Sequence, residues 1–483
     1  MVKLKDVQIQ DTSSIQPFIF HKMKLSFWGA AQQVTGSMHL LEVNNYKILI
    51  DCGLDYERET RIEENEFFPF NPGEINVVIL THAHIDHSGN LPTLIRAGFS
   101  GQIICTAPTA DLAELLLLDS VNIFESKQKK HRRGKRQSSG PKPLFFQKHV
   151  METADQFVTL SYNKPFRLNG DIEVEFIPAG HLLGAAFVIL SINEKGTQRK
   201  IAFTGDVGRK NYPVLVDPQE LPQVDFLVCE ATYGGRQHSK ENSIQDVLVE
   251  EINNACIKTP GRLIIPAFSI GRTQALVFTL NKIFTDKLLP RVKIFVDSPL
   301  ANYATEIFRK HLNHLNDEAR EFYSKIGDGF EFDNLFYVQD MKESREISNY
   351  LEPCIIISSA GMLEGGRIQD HLYHNISNYY CTILFIGYSA KGTLGNRLLR
   401  GDPYVHIRDR DLPVYATIKR TDVISGHADH DDLVNLVRHQ DKEHLKKVFL
   451  VHGEIESLNA LSVALGDEGY NVVIPEKGNS YEL

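Results

Sequence analysis

The chain has 483 residues, of which 42% are apolar and 23% are charged, as in folded globular proteins. Domains commonly hold about 100–200 residues, so this length excludes a single hydrophobic core and indicates about two to four domains. The formal net charge of −9 excludes a protein that coats nucleic acid through general basicity, but it allows a local basic cleft. We see no apolar run near the roughly 18 residues of a membrane span, and residues 1–6 do not resemble a signal peptide.

Six cysteines are spread along the chain, and no two of them form a C-x-x-C pair. Most lie beside apolar runs, as buried thiols commonly do. We therefore expect free thiols rather than disulfides, and a reducing, cytoplasmic compartment. The six are Cys52, Cys105, Cys229, Cys256, Cys354 and Cys381.

Residues 1–22 have no regular pattern and are predicted to form an N-terminal extension. Beyond them, short apolar runs alternate with turns, which predicts a hairpin-rich mixed sheet. Its first three strands are predicted over 24–29, 38–43 and 46–50. His39 falls in the second strand and is interpreted as an ordinary strand residue, because no other metal-ligand type stands near it in the sequence.

A histidine-rich segment, 81–89, follows the apolar run 77–80, which predicts a buried strand. A short helix is predicted over 94–97, so the polar residues between are expected on a loop at the carboxyl end of the strand. Imidazole nitrogens and carboxylate oxygens are the ligands that zinc and similar ions take. The candidate ligands in this segment are His82, His84, Asp86 and His87.

Alternating strands and helices continue after this segment. A strand is predicted over 103–105 and a helix over 109–124. The basic run 127–136 follows, and we interpret it as a solvated flexible loop. The alternative is an arm that contacts phosphates of a nucleic acid.

Single polar residues recur directly after later strands. His181, Asp206 and Glu230 follow strands predicted over 173–177, 200–203 and 225–229, respectively. In layered α/β proteins, residues at the carboxyl ends of strands commonly build the active site. These three side chains are therefore candidates to join the histidine-rich segment.

Longer helices alternate with strands from about residue 235, which predicts a parallel-sheet second domain. The pattern returns to short strands near the end of the chain, so we expect the second domain to be inserted into the first. The predicted division is an extension over 1–22, a first domain over 23–234 and 419–483, and an inserted domain over 235–418.

Seven side chains in these positions predict a centre that holds two zinc ions. A pair of cations about 3.5–4 Å apart suits a hydrolysis that develops charge on oxygen atoms, and zinc lowers the pKa of its bound water to about 7. No G-x-S-x-G motif for a serine nucleophile is present. The predicted ligands are His82, His84 and His181 for one ion, Asp86, His87 and His452 for the other, and Asp206 as a bridge.

Protonation of the leaving group requires a separate residue, and histidine is the usual donor. His427, within the segment 425–429, is the candidate, with Glu230 as the carboxylate that orients it and favours its charged form. Taken singly, His427 could equally be a buried structural histidine and Glu230 a surface carboxylate. Asp86 is counted as catalytic as well as metal-binding.

The joint pattern resembles the metallo-β-lactamase superfamily. His82-x-His84-x-Asp86-His87 is followed by His181 and Asp206, and Glu230, His427 and His452 resemble the further motifs of its β-CASP branch. That branch includes the pre-mRNA 3′-end-processing endonuclease subunit, RNase J and compact bacterial and archaeal RNases. The resemblance covers residues 23–483 and implies an α/β fold: an αββα sandwich with an inserted parallel-sheet β-CASP domain and a catalytic cleft between them.

The histidine at the last motif, His452, is typical of the RNA-cutting members of this family, whereas DNA-repair members carry valine there. The resemblance therefore implies a zinc-dependent endoribonuclease that acts on single-stranded RNA. It also implies a compact, stand-alone form, because the chain stops about 30 residues after His452. The alternatives are another hydrolase on the same fold, acting on a small phosphodiester or ester, and an RNA-binding subunit without activity.

Several other positions are predicted to contact RNA, although each also fits an ordinary strand-to-helix turn. These are Ser358, Ser359, Gly361, Arg272 and Tyr233.

Three further residues are predicted to be structural. Asp51 is expected to support the ligand loop rather than bind metal, because carboxylates behind a ligand fix its orientation. His371 and His374 are interpreted as structural or surface residues.

We also expect that the chain can form a homodimer.

Overall fold

The computed structural model describes residues 23–56, 62–133, 143–194, 196–238, 243–387 and 389–483. The predicted extension over 1–22 and the end of the basic run lie outside these residues. Among the helices of the described ranges, none is long and apolar enough to cross a membrane.

The first part of the chain builds one mixed sheet and the helices beside it. Its first strands form antiparallel hairpins and its later strands are parallel, because helical crossovers separate them. The elements are β1 Lys24–Gly29, β2 Met38–Val43, β3 Tyr46–Ile50, β4 Val77–Ile79, α1 Ile85–Ser88, α2 Leu91–Arg96, β5 Gln102–Thr106, α3 Ala107–Arg133, α4 Gln147–Ala154 and β6 Phe157–Leu160.

A second mixed sheet follows directly. It begins with antiparallel neighbours and ends with a parallel pair. Its strands are β7 Phe166–Arg167, β8 Ile172–Pro178, β9 Ala186–Glu194, β10 Thr197–Phe203 and β11 Phe226–Glu230.

The middle of the chain forms a third sheet of six strands, all parallel. Helices connect its strands, and a small antiparallel hairpin precedes the last one. The elements are α5 Ile244–Ile252, β12 Arg262–Pro266, α6 Arg272–Thr285, β13 Lys293–Asp297, α7 Pro299–Lys310, α8 Asp317–Lys325, β14 Leu335–Tyr337, α9 Met341–Ser348, β15 Cys354–Ser358, α10 Ile368–Asn375, β16 Cys381–Phe385, α11 Leu394–Leu399, β17 Tyr404–Ile407, β18 Arg410–Pro413 and β19 Thr417–Arg420.

The end of the chain returns to the first two sheets. β20 pairs in parallel with β11, so that Glu230 lies opposite Val451, and β22 pairs with β1. The sheet orders are β22-β1-β2-β3-β4-β5-β6 and β21-β20-β11-β10-β9-β8-β7. The returning elements are α12 His430–Arg438, β20 Lys447–Val451, α13 Ile455–Asp467, β21 Val472–Val473 and β22 Ser480–Glu482.

One apolar core lies between the first two sheets. Phe27 of the first sheet and Phe176 and Phe449 of the second sheet are fully buried within it. Each such side chain contributes about 1.5–3 kcal/mol through the area it removes from water. This core fixes the two sheets face to face, and therefore fixes the loops at their shared edge.

The structure differs from the sequence predictions in local detail. Asp86 and His87 lie on the single helical turn α1 rather than on a loop. The loop interpretation of the basic run is wrong for residues 127–133, because α3 continues through them to Arg133. Lysine, arginine and glutamine are good helix formers, so the run extends the helix that precedes it.

Two further features concern the middle of the chain. Ser243 caps α5, and a π-helical segment follows it at Asn253–Lys258. β19 pairs with β16, so the third sheet reaches Arg420, two residues past the predicted boundary at 418.

Candidate metal centre

The first group of predicted ligands forms where loops from both sheets meet. His82 and His84 follow β4, His181 follows β8, and Asp206 follows β10. His84 Nδ1 lies 3.2 Å from His82 Nε2 and 3.2 Å from His181 Nε2. Asp206 Oδ2 lies 3.5 Å from His82 Nε2 and 3.4 Å from His181 Nε2. The four ligand atoms are close enough to share one ion, since all lie within 4.8 Å of one another.

The second group lies on the other side of Asp206. His87 Nε2 is 3.3 Å from Asp206 Oδ1 and 3.1 Å from His452 Nε2. His452 Nε2 is in turn 3.5 Å from Asp86 Oδ2. The two carboxylate oxygens of Asp206 thus face different groups, which is the arrangement that a bridging ligand requires. The structure brings all seven predicted ligands to one edge of the two-sheet sandwich.

Four of the histidines are held in place from behind. A metal-binding histidine commonly uses its second ring nitrogen for a hydrogen bond that fixes the orientation of the ring. The Nδ1 contacts are His82 to Thr81 Oγ1 at 3.1 Å, His87 to Asp51 Oδ2 at 2.7 Å, His181 to Gly426 O at 3.2 Å and His452 to Thr232 Oγ1 at 3.0 Å.

Asp51 connects two of these supports. Its Oδ1 accepts from the backbone N–H of Thr81 at 2.8 Å, and its Oδ2 accepts from Thr81 Oγ1 at 2.9 Å as well as contacting His87. Asp51 is 1% exposed and lies behind the ligands rather than among them. These contacts agree with the expectation that Asp51 supports the ligand loop.

Backbone conformation also places the site. Asp51 has φ = 59° and His452 has φ = 53°, in the left-handed region that non-glycine residues seldom adopt. Each residue directly follows a strand, β3 and β20 respectively. The positive φ ends the strand and turns the side chain to the ligand cluster, and such strain is typical of functional sites.

Burial controls the protonation of the first group. It holds the pKa values of His82 and His181 well below the usual range, and neighbouring histidines lower them further. Burial also lowers the pKa of His84 to about 4. These three imidazoles are therefore uncharged at neutral pH, the form in which histidine binds a metal ion.

Charge pairing controls the second group. Burial lowers the pKa of His87 and His452, but the charge of Asp206 outweighs it and raises both, with Asp51 adding to the effect at His87. Burial raises the pKa of Asp206, yet the nearby His452 and His87 hold it well below its usual range. Contact with His452 and the charge of His87 similarly outweigh burial at Asp86 and lower its pKa to about 2. Both carboxylates are ionised at neutral pH.

The donor set fits divalent cations. Asp206 Oδ1 is buried and has no well-aligned hydrogen-bond partner among the described residues. Pairs of imidazole nitrogens also face each other at 3.1–3.2 Å, where only one nitrogen of each pair can carry a hydrogen. A cation in each group would satisfy these acceptor atoms, and a set of imidazoles and carboxylates is what zinc commonly takes.

Glu230 and His427 meet beside the first group. His427 Nδ1 lies 3.4 Å from Glu230 Oε1, and the rings of His427 and His181 are 4.4 Å apart. Glu230 is completely buried and accepts hydrogen bonds from the backbone N–H of Val207 at 2.6 Å and of Thr232 at 3.0 Å. The carboxylate is thus fixed, and the partly exposed His427 is positioned at the open side of the cluster.

Sequence reasoning missed three residues of this site. Thr81 and Thr232 hold ligand histidines, as described above. His238 donates from Nε2 to the carbonyl of His427 at 3.0 Å, and its ring lies 5.0 Å from that of Tyr233. Thr81 and Thr232 lie within two residues of predicted site residues, and this proximity is a signal that could have identified them. No local pattern marks His238.

The predicted RNA contacts fall into two places. Tyr233 is stacked on His427, with ring centroids 5.8 Å apart and an angle of 29° between the planes. The other predicted contacts lie at or beyond the carboxyl ends of strands in the third sheet. Arg272 begins α6 and its guanidinium lies 4.8 Å from the ring centroid of Phe268, while a Cβ on Gly361 would lie 3.3 Å from that ring.

Ser358 and Ser359 differ in their surroundings. Ser358 is buried and donates to the carbonyl of Asp297 at 2.9 Å, so its side chain supports the fold rather than facing a ligand. The half-buried Ser359 contacts Ser298 Oγ at 3.1 Å, and Ser298 in turn contacts Ser269 at 2.9 Å. Of the two, the prediction of direct RNA contact therefore fits Ser359 alone.

Comparison with known families agrees with this geometry. Three family models match successive parts of the chain: the metallo-beta-lactamase superfamily over 32–249, the Beta-Casp domain over 273–398, and the Zn-dependent metallo-hydrolase RNA specificity domain over 411–475.

Individual relatives match along nearly the whole chain. Ribonuclease TTHA0252 of Thermus thermophilus is 31% identical over 457 residues, which cover 94% of this chain and 99% of that protein. The transcription termination factor FttA of Methanothermobacter thermautotrophicus is 30% identical over 447 residues, 89% of this chain and 67% of that protein. A crystal structure of a protein of unknown function from Enterococcus faecalis shares the fold, with a TM-score of 0.52 at 13% identity, and covers 96% of this chain and 100% of that one.

The face-to-face sheets and the two groups of ligands at their edge define a metal-dependent hydrolase of the metallo-β-lactamase type. Within that class, the chain belongs to the β-CASP family. The predicted family, fold class and hydrolase class are confirmed, as is the prediction that the chain binds divalent metal.

Proposed function

We propose that this chain is a ribonuclease that binds two zinc ions and hydrolyses phosphodiester bonds within single-stranded RNA. The observation that carries the proposal is the placement of Asp206 between two groups of ligands, with Glu230 and His427 beside them. RNA as the substrate is supported by the match to an RNA specificity domain and by the name of the Thermus relative. The expected products carry a 5′-phosphate and a 3′-hydroxyl.

The ligand residues have distinct roles in this proposal. His82, His84 and His181 would hold one ion, Asp86, His87 and His452 the other, and Asp206 would bridge them. When bound, two zinc ions supply a nucleophile at neutral pH and stabilise charge on the phosphoryl oxygens. Asp86 is half-buried and ionised, so it can also accept a hydrogen bond from the attacking water and orient it.

His427 performs the other half of the reaction. The oxygen that leaves phosphorus needs a proton, and His427 lies at the open side of the cluster where it can donate one. Glu230 fixes the ring through Nδ1, which directs Nε2 toward the substrate. Tyr233 stacks on the same ring and limits its rotation.

The chain would divide nearly as the sequence indicates, with residues 1–22 as an extension and a host domain of 23–234 and 421–483, whose second part begins two residues after the predicted 419. The inserted β-CASP domain would run from 235 to Arg420, where β19 ends. RNA would enter between the two domains and contact Ser359, Gly361 and Arg272. The proposal also places the enzyme in the cytoplasm, in line with six buried and unpaired cysteines. We also propose that the protein forms a homodimer. Light scattering on the purified protein would test this by measuring its molecular mass.

A labelled single-stranded RNA tests the proposal directly. Wild-type protein should cut it, a chelator should stop the reaction, and added zinc should restore it. His87→Ala should abolish cleavage, whereas His374→Ala, an exposed histidine on α10, should leave it intact. Unchanged cleavage by His87→Ala would contradict the proposal.

The same experiment separates the alternatives. A hydrolase of small diesters would cut bis(p-nitrophenyl) phosphate but not RNA. A binding subunit without activity would retain RNA while cutting neither substrate. The complete set of seven ligands argues against that second alternative, since a subunit without activity has no need of them.

A further inference from the structure

A cavity of about 380 Å³ opens beside the ligand loops and outside the metal centre. We call it the aromatic pocket. Nothing in the reaction described above uses it. Its lining includes Trp28, Asp55, Phe67, Phe68, Asn90 and Lys477.

One wall of the aromatic pocket is continuous with the backbone that carries two of the proposed metal ligands. The backbone N–H of Cys52 donates to the carbonyl of His87 at 2.8 Å, and the N–H of Asn90 donates to the carbonyl of Cys52 at 2.9 Å. Gly53, which lines the pocket, is packed so closely on Asp86 that an added Cβ would lie 1.7 Å from its carbonyl oxygen. A molecule in the pocket therefore lies next to the loop that holds Asp86 and His87.

Aromatic side chains line the pocket. Phe67 is 79% exposed, the highest value among the phenylalanines of the described residues. Trp28 and Phe68 are half-buried and pack against the core, so their rings are held in place next to the exposed ring of Phe67 in the pocket. Unpaired nucleobases stack on such rings, and this contact tolerates any base because each base has a π-face.

Polar groups accompany the rings. Lys477 is half-exposed, with Nζ 3.2 Å from Asp55 Oδ2. Asn90 is 2% exposed, and its Oδ1 has no hydrogen-bond partner among the described residues. An amide oxygen of this kind accepts a hydrogen bond from an exocyclic amino group of a base, and a lysine ammonium pairs with a phosphate.

We propose that the aromatic pocket binds an unpaired nucleobase of the substrate RNA, on a nucleotide outside the scissile bond. Phe67 and Trp28 supply the stacking surface, and Lys477 faces the adjoining phosphate. This inference rests on the proposed function and adds to it a binding site for the strand beyond the reacting phosphate. The charges favour a nucleobase over an anion alone, because Asp55 and Glu64 line the same pocket as Lys477.

Steady-state cleavage of single-stranded RNA by the full chain with zinc tests the site. Stacking is worth about 1–3 kcal/mol per base, so Phe67→Ala should raise the KM about tenfold, with a smaller change in kcat. Phe67→Tyr keeps a stacking ring and should retain the wild-type KM. Tyr379→Ala is the matched control, because it removes a ring that is 71% exposed. Tyr379 precedes the amino end of β16, whereas Ser359 follows the carboxyl end of β15.

Trp28 provides a second readout that does not depend on cleavage. It is the single tryptophan of the chain, so intrinsic fluorescence reports on this pocket. Mixing the enzyme with RNA should quench that fluorescence before the first turnover. In Phe67→Ala, the RNA concentration that gives half of the quenching should be about tenfold higher.

The outcomes separate this inference from the proposed function. Wild-type cleavage of RNA with an unchanged KM and unchanged quenching in Phe67→Ala would overturn the nucleobase site alone, and would leave an apolar peptide as the better occupant. Failure of the wild-type protein to cut RNA at all would contradict the proposed function itself.

Discussion

Two buried histidine–aspartate pairs among the described residues have the same 2.7 Å contact but different surroundings, and one lies in each kind of sheet. At the edge of the sandwich, His87 Nδ1 lies 2.7 Å from Asp51 Oδ2. In the parallel sheet, His371 Nε2 lies 2.7 Å from Asp297 Oδ2. Each aspartate ends or directly follows a strand, and all four side chains are nearly or fully buried.

The pairs differ in what surrounds them. The second nitrogen of His87 points to Asp206 and His452, where further ligands converge. The second nitrogen of His371 is buried without a partner among the described residues. Asp297 instead accepts hydrogen bonds from Ser344 and Arg367, each at 2.6 Å, and these compensate its negative charge.

The difference shows that a buried histidine–aspartate pair does not by itself indicate chemistry. What distinguishes the catalytic edge is a set of acceptor atoms that face one another, as they do around Asp206. In the parallel sheet, the carboxylate of Asp297 is paired with neighbouring side chains on both oxygens, which is a structural use of the same groups. Substitutions in both pairs should therefore separate effects on activity from effects on stability.

The largest effect on activity is expected from Asp206→Ala, because both groups of ligands lose their shared carboxylate. RNA cleavage should fall about 10³-fold or more, in line with several kcal/mol of charge stabilisation by the ions. The bound zinc, measured by mass spectrometry of the purified protein, should fall below two ions per chain. Full activity with the wild-type metal content would show that Asp206 is not a bridge.

His427→Ala should reduce cleavage of RNA about 10²- to 10⁴-fold, the range that general acid catalysis contributes. The loss should be much smaller for bis(p-nitrophenyl) phosphate, because a nitrophenolate leaves without needing a proton. Rate measurements on both substrates test this, with His439→Ala, an exposed histidine at the end of α12, as the control. Equal losses on both substrates would assign His427 another role.

Asp51→Asn addresses the first histidine–aspartate pair. The amide keeps the shape but not the charge, so the His87 ring loses part of its orientation and basicity. Zinc affinity and RNA cleavage should fall about 10- to 100-fold, as for other carboxylates behind metal ligands. If a competition titration with a zinc chelator gave wild-type affinity, Asp51 would be irrelevant to the metal centre.

Asp297→Asn addresses the second pair and should leave the activity of the folded protein unchanged. It removes the partner of Arg367 and His371, so the free energy of unfolding at pH 7 should fall by about 3 kcal/mol. Urea unfolding monitored by circular dichroism measures this change. A loss of RNA cleavage comparable to that of Asp51→Asn, without loss of stability, would erase the contrast between the two pairs.

The effect of Asp297→Asn should also depend on pH. Burial raises the pKa of Asp297, but hydrogen bonds from His371, Ser344 and Arg367 outweigh it and hold the pKa below its ordinary value. A carboxyl with a lowered pKa stabilises the fold above its unfolded value of about 3.9, and this contribution disappears as the pH falls through the folded pKa. The difference between variant and wild type should therefore be full at pH 7 and smaller at pH 3.

Three of the proposed ligands could be predicted from local pattern because each follows an apolar strand. His82, His181 and Asp206 are all placed by strands whose buried faces are plain in the sequence. The meeting of His452 with His87, 365 positions away, was predicted through the family resemblance. Spacing alone could not show it, because it depends on how β20 pairs with β11.

Other features depend on packing that local patterns do not contain. The burial of Ser358 against Asp297 follows from the pairing of β13 with β15, so its hydroxyl packs within the fold, and the contact of this segment with RNA stays a prediction. α3 extends to Arg133 where the sequence predicts a loop, because a dense basic run is compatible with an exposed helix as well as with a loop. The aromatic pocket joins segments from opposite ends of the chain, Trp28 and Lys477, which no sequence period connects.

Anomalous X-ray diffraction at the zinc edge, from crystals of the zinc-loaded protein, tests the central claim most directly. Our account predicts two peaks about 3.5–4 Å apart, one on each side of the Asp206 carboxylate. A single peak, or peaks remote from Asp206, would contradict it.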